Sequence, residues 1–437
     1  MADKIISSIR RAGYKEYEIF QERYASTSFT FRANRFYETK KRLRQGYGVR
    51  VIKDKRLGFM SGTDPRLVAQ GVTDLKPTLK TRIKFPGEEE YQDPVIVNTK
   101  VLNWSEEDLR SFGKQVISGI LAVNPDLKVD VEIVRRNDLL SLSNSEGLNC
   151  RFERVVSYFL VEAQLVKDGH ILYIYDFENL SFGNEPDYKR IKDYFEMISK
   201  NIKEEVTLKP GSYPVLILPL PLSSLLSGIG LGVSGKSLEK GYSPLIDKVG
   251  DRVLSDQITI YDDGLLAYAF NSGPFDGEGV AKAKRVLFEN GIFKGFVFDL
   301  ETGVRNDRES TGNALRTYSS PPYPSINNLV FKTGNGDLER TLGGLDEAIL
   351  VAGVVGGGHG NIYAGDFSVK LDLGFLIRKG EIVGRLTDTM MAGNCYQMLN
   401  NVMAIGNQTK DLGNERLPWI LASGLSFATP QLNPPPR

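Results

Sequence analysis

Histidine is nearly absent from this sequence, which contains only His170 and His359 among its 437 residues. A zinc site usually takes at least three protein ligands from histidine, cysteine and carboxylate side chains. A Ser–His–Asp triad would likewise have to use one of these two imidazoles. His170 follows an Asp-Gly pair between two apolar runs, which predicts a hairpin and a surface position for this histidine. The scarcity of histidine therefore restricts the metal and acid–base chemistry open to the chain.

Cysteine and long apolar runs are also scarce. Cys150 and Cys395 are too few for a disulfide scaffold, and the apolar helical pattern after Cys395 predicts a buried packing residue there. The first residues contain no apolar run of signal-peptide length. The best apolar stretch, 213–226, is interrupted by three prolines, whereas a membrane span needs about 20 apolar residues. The sequence therefore predicts a cytoplasmic protein without a membrane partner.

Net charge is close to zero, since 55 Lys+Arg against 54 Asp+Glu leave 55 − 54 = +1. Nucleic-acid-binding proteins usually carry a basic excess, so we expect no direct nucleic-acid partner. Residues 16–56 mix aromatic and β-branched side chains with many charges, which predicts antiparallel strands with one wet face. This stretch contains a basic cluster of Lys40, Lys41, Arg42 and Arg44. We interpret the cluster as a solvated strand or turn, with a phosphate or nucleic-acid contact as the alternative.

The length and the order of patterns predict two domains. Ser105 opens a capping-box signal before apolar residues at helical spacing, and residues 187–203 show the same spacing. A polar linker at 203–211 places the domain boundary near residue 205. Strands and helices occur in clusters rather than in strict alternation, which favours an α+β fold with mostly antiparallel sheets. We predict an N-terminal α+β domain at 1–204 and a glycine-rich, strand-dominated C-terminal domain at 205–437.

The sequence G-L-G-V-S-G-K-S at 230–237 matches the phosphate-binding pattern G-x-x-x-x-G-K-[ST]. A P-loop follows directly on a buried strand and opens a long helix, but here prolines and a Leu/Ser stretch separate the predicted strand at 213–218 from Gly230. The residues after 237 are also too few and too interrupted for a long helix. We interpret the match as a chance product of glycine enrichment, and we expect no nucleotide or other cofactor.

Short segments in a fixed order characterise the C-terminal half. They include P-F-D-G-E-G-V at 274–280, E-N-G-I-F-K-G at 289–295, S-T-G-N-A at 310–314, A-G-D-F-S at 364–368, G-F-L-I-R-K-G-E-I at 374–382, and A-G-N at 392–394. In this order the chain from about 210 to 427 resembles the TldD/PmbA family, often named modulators of DNA gyrase. The N-terminal half fits that family by element order only.

The resemblance implies a choice between two branches of the family. One is a zinc peptidase with an H-E-x-x-x-H helix and a cysteine near the C-terminus, and the other, PmbA-like or TldE-like, lacks the metal ligands. Alignment on the apolar residues before the motif puts Ser227, Gly228 and Gly232 where His, Glu and His would stand, and no cysteine follows Cys395. The resemblance therefore implies no bound metal here, and a role in the proteolysis of small or unfolded peptides. The implied partners are a TldD-like zinc peptidase subunit or a second copy of the chain, and a peptide in extended form.

Four residues are candidates for lining a peptide groove. His359 lies in a glycine loop, Asp366 and Ser368 lie in the A-G-D-F-S segment, and Asn394 ends the A-G-N segment. The alternatives are a surface turn residue for His359, and turn capping by Asp366 and Ser368. Glycine-rich strands with free edges are also suited to receiving an extended peptide. Two other functions remain open: a hydrolase rebuilt around His359 or carboxylates, and an adaptor that acts on gyrase or another protein.

Overall fold

The computed structural model describes residues 2–167, 170–202, 204–356 and 360–429. His359 and the predicted Asp168-Gly169 turn lie outside the described residues. Two large sheets organise the described chain, one built from each half of the sequence. Helices pack against both sheets, so the α+β architecture predicted from the sequence is confirmed.

The first sheet has seven strands with antiparallel neighbours throughout. They are β1 (Glu16–Arg32), β2 (Arg35–Lys53), β3 (Arg56–Gly62), β4 (Leu79–Lys80), β5 (Lys128–Asn144), β6 (Asn149–Lys167) and β7 (His170–Asn179). Their order in the sheet is β4-β3-β2-β1-β5-β6-β7. Four of these strands are 17 to 19 residues long, well beyond the usual length of five or six residues. The strand-rich composition of residues 16–56 therefore corresponds to two long strands and the start of a third.

Five helices accompany this sheet: α1 (Ala2–Arg11), α2 (Pro65–Asp74), α3 (Thr99–Asn103), α4 (Glu106–Val123) and α5 (Tyr188–Asn201). The predicted capping box of α4 is present, because the Ser105 hydroxyl accepts the Asp108 N–H and the Asp108 carboxylate accepts the Ser105 N–H. Asp187 caps α5 by accepting the Arg190 N–H. Both helices cover one face of the sheet, where side chains such as Phe29 and Phe159 are fully buried.

The described residues of the second half contribute fourteen strands. They are β8 (Glu205–Val206), β9 (Gly211–Ile217), β10 (Ile260–Asp263), β11 (Lys284–Glu289), β12 (Ile292–Phe293), β13 (Ala314–Leu315), β14 (Tyr323–Pro324), β15 (Leu329–Phe331), β16 (Glu347–Gly356), β17 (Asp366–Arg378), β18 (Glu381–Leu386), β19 (Met390–Asn394), β20 (Val402–Asp411) and β21 (Glu415–Ala428). Twelve of them form one sheet with a central order β21-β9-β16-β17-β18, and β13 pairs with β14 apart from it. Most neighbours are antiparallel, but β9–β16, β15–β21 and β8–β18 are parallel.

Where the structure describes this half, it contains six short helices: α6 (Pro219–Leu225), α7 (Ser227–Gly232), α8 (Gly235–Glu239), α9 (Leu300–Arg305), α10 (Leu338–Gly343) and α11 (Cys395–Asn400). The P-loop lookalike runs from α7 into α8, and Ser234 caps α8 through the Lys236 N–H. Because α6, α7 and a short connection precede α8, the strand–loop–long helix arrangement of a P-loop does not occur here. The helix after the glycines is as short as the sequence indicates, and the absence of a bound nucleotide stays a prediction.

The second sheet is buried on both faces. One face packs against α6, α7 and α11, and the other shares a core with the first sheet and its helices. Phe195 of α5 and Phe375 of β17 belong to this shared core and are fully buried. The domain boundary near residue 205 stays a prediction. No helix in the described part of the chain is long and apolar enough to cross a lipid bilayer.

Candidate functional site

Helix α7 contains Ser227, Gly228 and Gly232, the residues that alignment on the preceding apolar residues sets against the H-E-x-x-x-H motif. Gly228 and Gly232 are buried on the side that faces α11 and the loop before β17. A Cβ atom at Gly228 would lie 2.5 Å from the Gly365 Cα and 2.9 Å from the Cys395 Sγ. A Cβ atom at Gly232 would overlap the hydroxyl of Tyr396. Glycine is therefore required for α7 to approach its neighbours this closely.

Tyr396 fixes this contact by a hydrogen bond. Its hydroxyl donates to the Gly228 carbonyl oxygen at 3.0 Å, and the ring occupies the space beside Gly232. The Ser243 hydroxyl donates to the Gly232 carbonyl oxygen at 2.6 Å and attaches the following turn to the same helix. Helices α7 and α11 are thus in close contact, and this contact leaves no room for larger side chains at Gly228 and Gly232.

The family resemblance implies zinc as the metal to test at α7. The residues present in this helix do not form a zinc site. Ser227 is exposed, and its hydroxyl donates to the Ser224 carbonyl oxygen at 3.0 Å. Gly228 and Gly232 have no donor atoms in their side chains, and Tyr396 fills the adjacent space. Among the residues that the structure describes, no group of three His, Cys, Asp or Glu side chains could hold a metal ion.

Asp366 and Asn394, two of the four groove candidates, are hydrogen-bonded to each other, and their role in a groove stays a prediction. The Asn394 amide donates to the Asp366 carboxylate and to the Ala364 carbonyl oxygen, both at 2.8 Å. Its side-chain oxygen accepts the Tyr396 N–H at 3.0 Å and caps α11. One asparagine therefore joins the loop before β17 to the start of α11.

Turn capping was the alternative for Asp366 and Ser368, and within the described residues neither side chain is seen to accept a hydrogen bond from a turn. Asp366 is the first residue of β17, and its carboxylate accepts from Asn394 rather than from its own turn. The turn is capped instead by Asn361, whose side-chain oxygen accepts the Ala364 N–H. Ser368 lies inside β17 opposite Ala392, on the same side of the strand as Asp366. His359, the fourth groove candidate, lies outside the described residues.

Two exposed tyrosines, which no sequence pattern indicated, lie in the segments that follow α8 and precede β17. Tyr242 follows α8 and Tyr363 lies in the loop before β17, and their rings meet edge to face with centroids 5.3 Å apart. Both remain substantially exposed, at 53% and 38%. Exposed tyrosines offer apolar area with a polar tip, which suits contact with a peptide. No local pattern announces this pair, since the two residues are brought together only by the fold.

Cys395 is the nearest thiol to α7, and its environment disfavours a nucleophilic role. The residue is fully buried, and burial raises the pKa of its thiol to about 12. A thiol that stays protonated at neutral pH is a poor nucleophile. Burial likewise raises the pKa of the Tyr396 phenol well above its usual range. The sequence interpretation of Cys395 as a packing residue is confirmed.

The P-F-D-G-E-G-V segment supplies a second cluster of polar groups away from α7. The Asp276 carboxylate accepts the backbone N–H groups of Glu278, Val280 and Ala314 at 2.8 to 3.0 Å. Burial raises the pKa of Asp276 to about 6. The carboxylate is nearly inaccessible to solvent, and its hydrogen bonds hold the backbone of its own turn and of β13. It is a structural group rather than an exposed acid or base.

Glu278 connects the same segment to the first sheet. Its carboxylate accepts Arg50 Nη1 of β2 at 2.5 Å and the Leu300 N–H at 2.7 Å. Arg50 also donates two bonds to Glu18 of β1, and Arg316 donates to Glu18 at 2.5 Å. All four side chains are buried. We name Glu18, Arg50, Glu278 and Arg316 the buried ion network. A hydrolase rebuilt on these carboxylates gains no support, since substrate has no access to them.

Comparisons with known proteins agree with the fold and the segment order. Residues 210–429 match the model of the PmbA/TldA metallopeptidase C-terminal domain, and residues 17–75 match that of PmbA/TldA metallopeptidase domain 1. An uncharacterised protein of Methanocaldococcus jannaschii is 28% identical over 390 residues, which are 87% of this chain and 88% of that protein. A metalloprotease PmbA homologue of Haemophilus influenzae is 31% identical over 221 residues. That match covers 51% of this chain and about half, 47%, of the relative.

Solved structures resemble the whole chain. The crystal structure of TldE from Thermococcus kodakarensis superposes with a TM-score of 0.87 at 25% identity, covering 97% of this chain and all of that one. A Thermotoga maritima protein described as a proposed modulator of DNA gyrase gives the same TM-score of 0.87 at 21% identity, covering 98% and 99% of the two chains. The second likeness concerns the fold alone.

Proposed function

The chain belongs to the PmbA/TldD metallopeptidase family, and we propose that it acts there as a PmbA/TldE-like subunit without zinc chemistry of its own. The observation that carries the proposal is the contact between Gly232 and Tyr396. A side chain as large as an imidazole at position 232 would need the volume that the Tyr396 hydroxyl occupies, since a Cβ atom there already overlaps it. The chain therefore supplies a surface to a proteolytic assembly, and a zinc-bearing subunit supplies the hydrolysis.

The surface beside α7 suits a peptide held without cleavage. Asp366 and Ser368 present polar side chains from one side of β17, and the loop before this strand carries Tyr363, whose exposed ring meets that of Tyr242. We infer that this surface contacts small or unfolded peptides in extended form. A TldD-like zinc peptidase, or a second copy of the chain, would complete the assembly. Direct contact with nucleic acid or with a membrane is not part of the proposal.

The decisive experiment compares the purified chain alone, a family member with an intact H-E-x-x-x-H helix alone, and the two mixed. We expect cleavage of unfolded peptides to rise only in the mixture, because only the partner provides the metal and the general base. Metal analysis of the chain alone should find substoichiometric zinc. The matched variant Asp366→Ala should lower activity of the mixture without changing the zinc content of the partner.

Two results would contradict the proposal. The first is stoichiometric zinc in the chain alone, with peptidase activity that disappears in His359→Ala, since this would identify a rebuilt hydrolase. The second is a co-purification that recovers gyrase and no peptidase subunit, since this would favour an adaptor.

A further inference from the structure

The outer edge of β2 is unusually long and unpaired. Strand β1 pairs with β2 along its whole length, from Arg35 to Ile52. Strand β3 covers the opposite edge of β2 only from Tyr47 to Lys53. Within the described residues no strand pairs with this edge over 35–46, which is about 40 Å of chain at the usual rise per residue. Alternate residues of this segment direct their N–H and C=O groups away from β1.

This edge carries a concentrated positive charge. Segment 35–46 contains five cationic residues and one acidic residue, so its net charge is 5 − 1 = +4 in a chain whose total is +1. Lys41 pairs with Glu106 at 2.8 Å, and Arg44 donates to the Tyr24 hydroxyl. Arg35 and Arg42 form no ion pair with any part of the chain that the structure describes. The basic cluster predicted from the sequence as a solvated strand therefore lies on a free strand edge.

Apolar side chains accompany the charges. Leu43 is 66% exposed and Tyr37 is 57% exposed, although both belong to a regular strand. They lie on the same side of β2, because side chains alternate along a strand. A free edge with exposed apolar side chains is a template for pairing with another strand. An added strand would cover these two side chains and satisfy the free backbone groups together.

The charge pattern decides between possible occupants. A second copy pairing edge to edge would bring two segments of net charge +4 side by side, and like charges that face each other across strands are destabilising. The positive charge is confined to the strand edge, because Glu132 and Glu162 of the neighbouring strands line the shallow concavity of about 350 Å³ on the face of the sheet beside Lys40 and Arg42. A narrow strip of this kind suits one extended strand better than a nucleic acid, which would also cover the face. Free backbone groups also match a polypeptide better than a phosphate chain.

We propose that the free edge of β2 over residues 35–46 binds an acidic polypeptide segment in extended form by strand addition. Backbone hydrogen bonds would supply the affinity, and the cationic side chains would select acidic sequences. The inference does not depend on the proposed function, because it rests on the first sheet and not on α7. Its success or failure is therefore distinguishable from the outcome of the peptidase experiment.

The test measures binding of labelled ten-residue peptides to the full chain by fluorescence anisotropy. The first probe is a peptide in which Glu alternates with Val or Thr. The second probe has the same sequence, but the backbone nitrogen of every other residue is methylated, so that one edge of the peptide cannot donate hydrogen bonds to a strand. We expect the charge-reversed variant Lys40→Glu/Arg42→Glu to bind the first probe at least about tenfold more weakly. The matched variant Lys76→Glu/Lys80→Glu changes the net charge equally at exposed positions away from the edge, and should bind like the unmodified chain.

Four outcomes would overturn the proposal. They are absence of binding by the acidic probe, equal binding of the N-methylated probe, tighter binding of a nucleic acid of the same charge, and a homodimer that dissociates in Lys40→Glu/Arg42→Glu. The second would show attraction by charge without strand addition, and the last would identify a second copy as the occupant. Circular dichroism and thermal unfolding of both variants check that the fold is retained.

Discussion

Gly228 and Gly232 decide how closely α7 approaches α11. The Gly232 position faces the Tyr396 hydroxyl directly, whereas Gly230 in the same helix faces open space apart from one methyl group of Ile326 at 3.9 Å. Two glycines in one helix thus sit in opposite environments. The sequence could predict that no zinc ligand stands at these positions, since the residue types alone exclude it. It could not predict that Tyr396 fills the space, because the contact joins segments far apart in the chain.

Substitution of Gly232 by alanine should destabilise the protein by about 1–3 kcal/mol, because the added methyl group overlaps Tyr396. The matched control Gly230→Ala should be neutral or should stabilise by up to about 1 kcal/mol, since alanine favours helix and meets no close atom. The double variant Gly232→Ala/Tyr396→Phe should recover part of the loss. Urea denaturation measures all three free energies of unfolding. Equal stability of Gly232→Ala and the unmodified chain would show that α7 and α11 are less closely packed.

Among the elements, those with local signals were predictable from the sequence. Helix α4 begins at its capping box, α5 follows its Asp187 cap, and the hairpin turns at 289–291 and 378–381 join β11 to β12 and β17 to β18. The helices α6 to α8 were not predictable, because proline, serine and glycine conceal helical spacing in elements of five to seven residues. The free edge of β2 could not be predicted from local patterns either, because it depends on how far β3 extends along β2.

Asn394 connects the loop before β17, β17 itself and α11. Substitutions can remove its amide donor and its amide oxygen acceptor separately. Asn394→Ala should cost about 1–2 kcal/mol, since α11 loses its cap and Ala364 and Asp366 each lose a hydrogen bond. Asn394→Ser keeps an acceptor for the cap and loses only the amide donor, so it should cost less than the alanine variant. Thermal unfolding compares the variants. In peptidase mixtures both should lower activity, because Asp366 then loses its partner. Full activity of Asn394→Ala in the mixture would show that Asp366 does not contribute to the proposed peptide surface.

At the scale of the whole molecule, the buried ion network and the shared core join the two sheets. The network contains two carboxylates and two guanidinium groups, contributed by β1, β2, the P-F-D-G-E-G-V segment and the residues after β13. Glycine at positions 46 and 48 of β2 lets residues 316–318 pack directly on that strand. From the sequence, P-F-D-G-E-G-V could be identified as a segment typical of the family, but the place of Glu278 in the buried ion network could not be predicted. Glu18 and Glu278 are too distant in the chain for local patterns to connect them.

Arg50 is the centre of the network, and its loss should weaken the whole molecule. Arg50→Leu leaves Glu18 and Glu278 buried without their shared cation, which should lower the free energy of unfolding by about 3–5 kcal/mol. The matched control Arg66→Leu removes an exposed pair with Asp64 and should leave the free energy of unfolding nearly unchanged, because solvent screens such pairs. Arg50→Leu/Glu278→Gln should be more stable than Arg50→Leu, because one uncompensated carboxylate is removed. Guanidinium denaturation followed by tyrosine and tryptophan fluorescence measures these differences. If Arg50→Leu unfolds at the same denaturant concentration as the control, the shared apolar core alone holds the two sheets together.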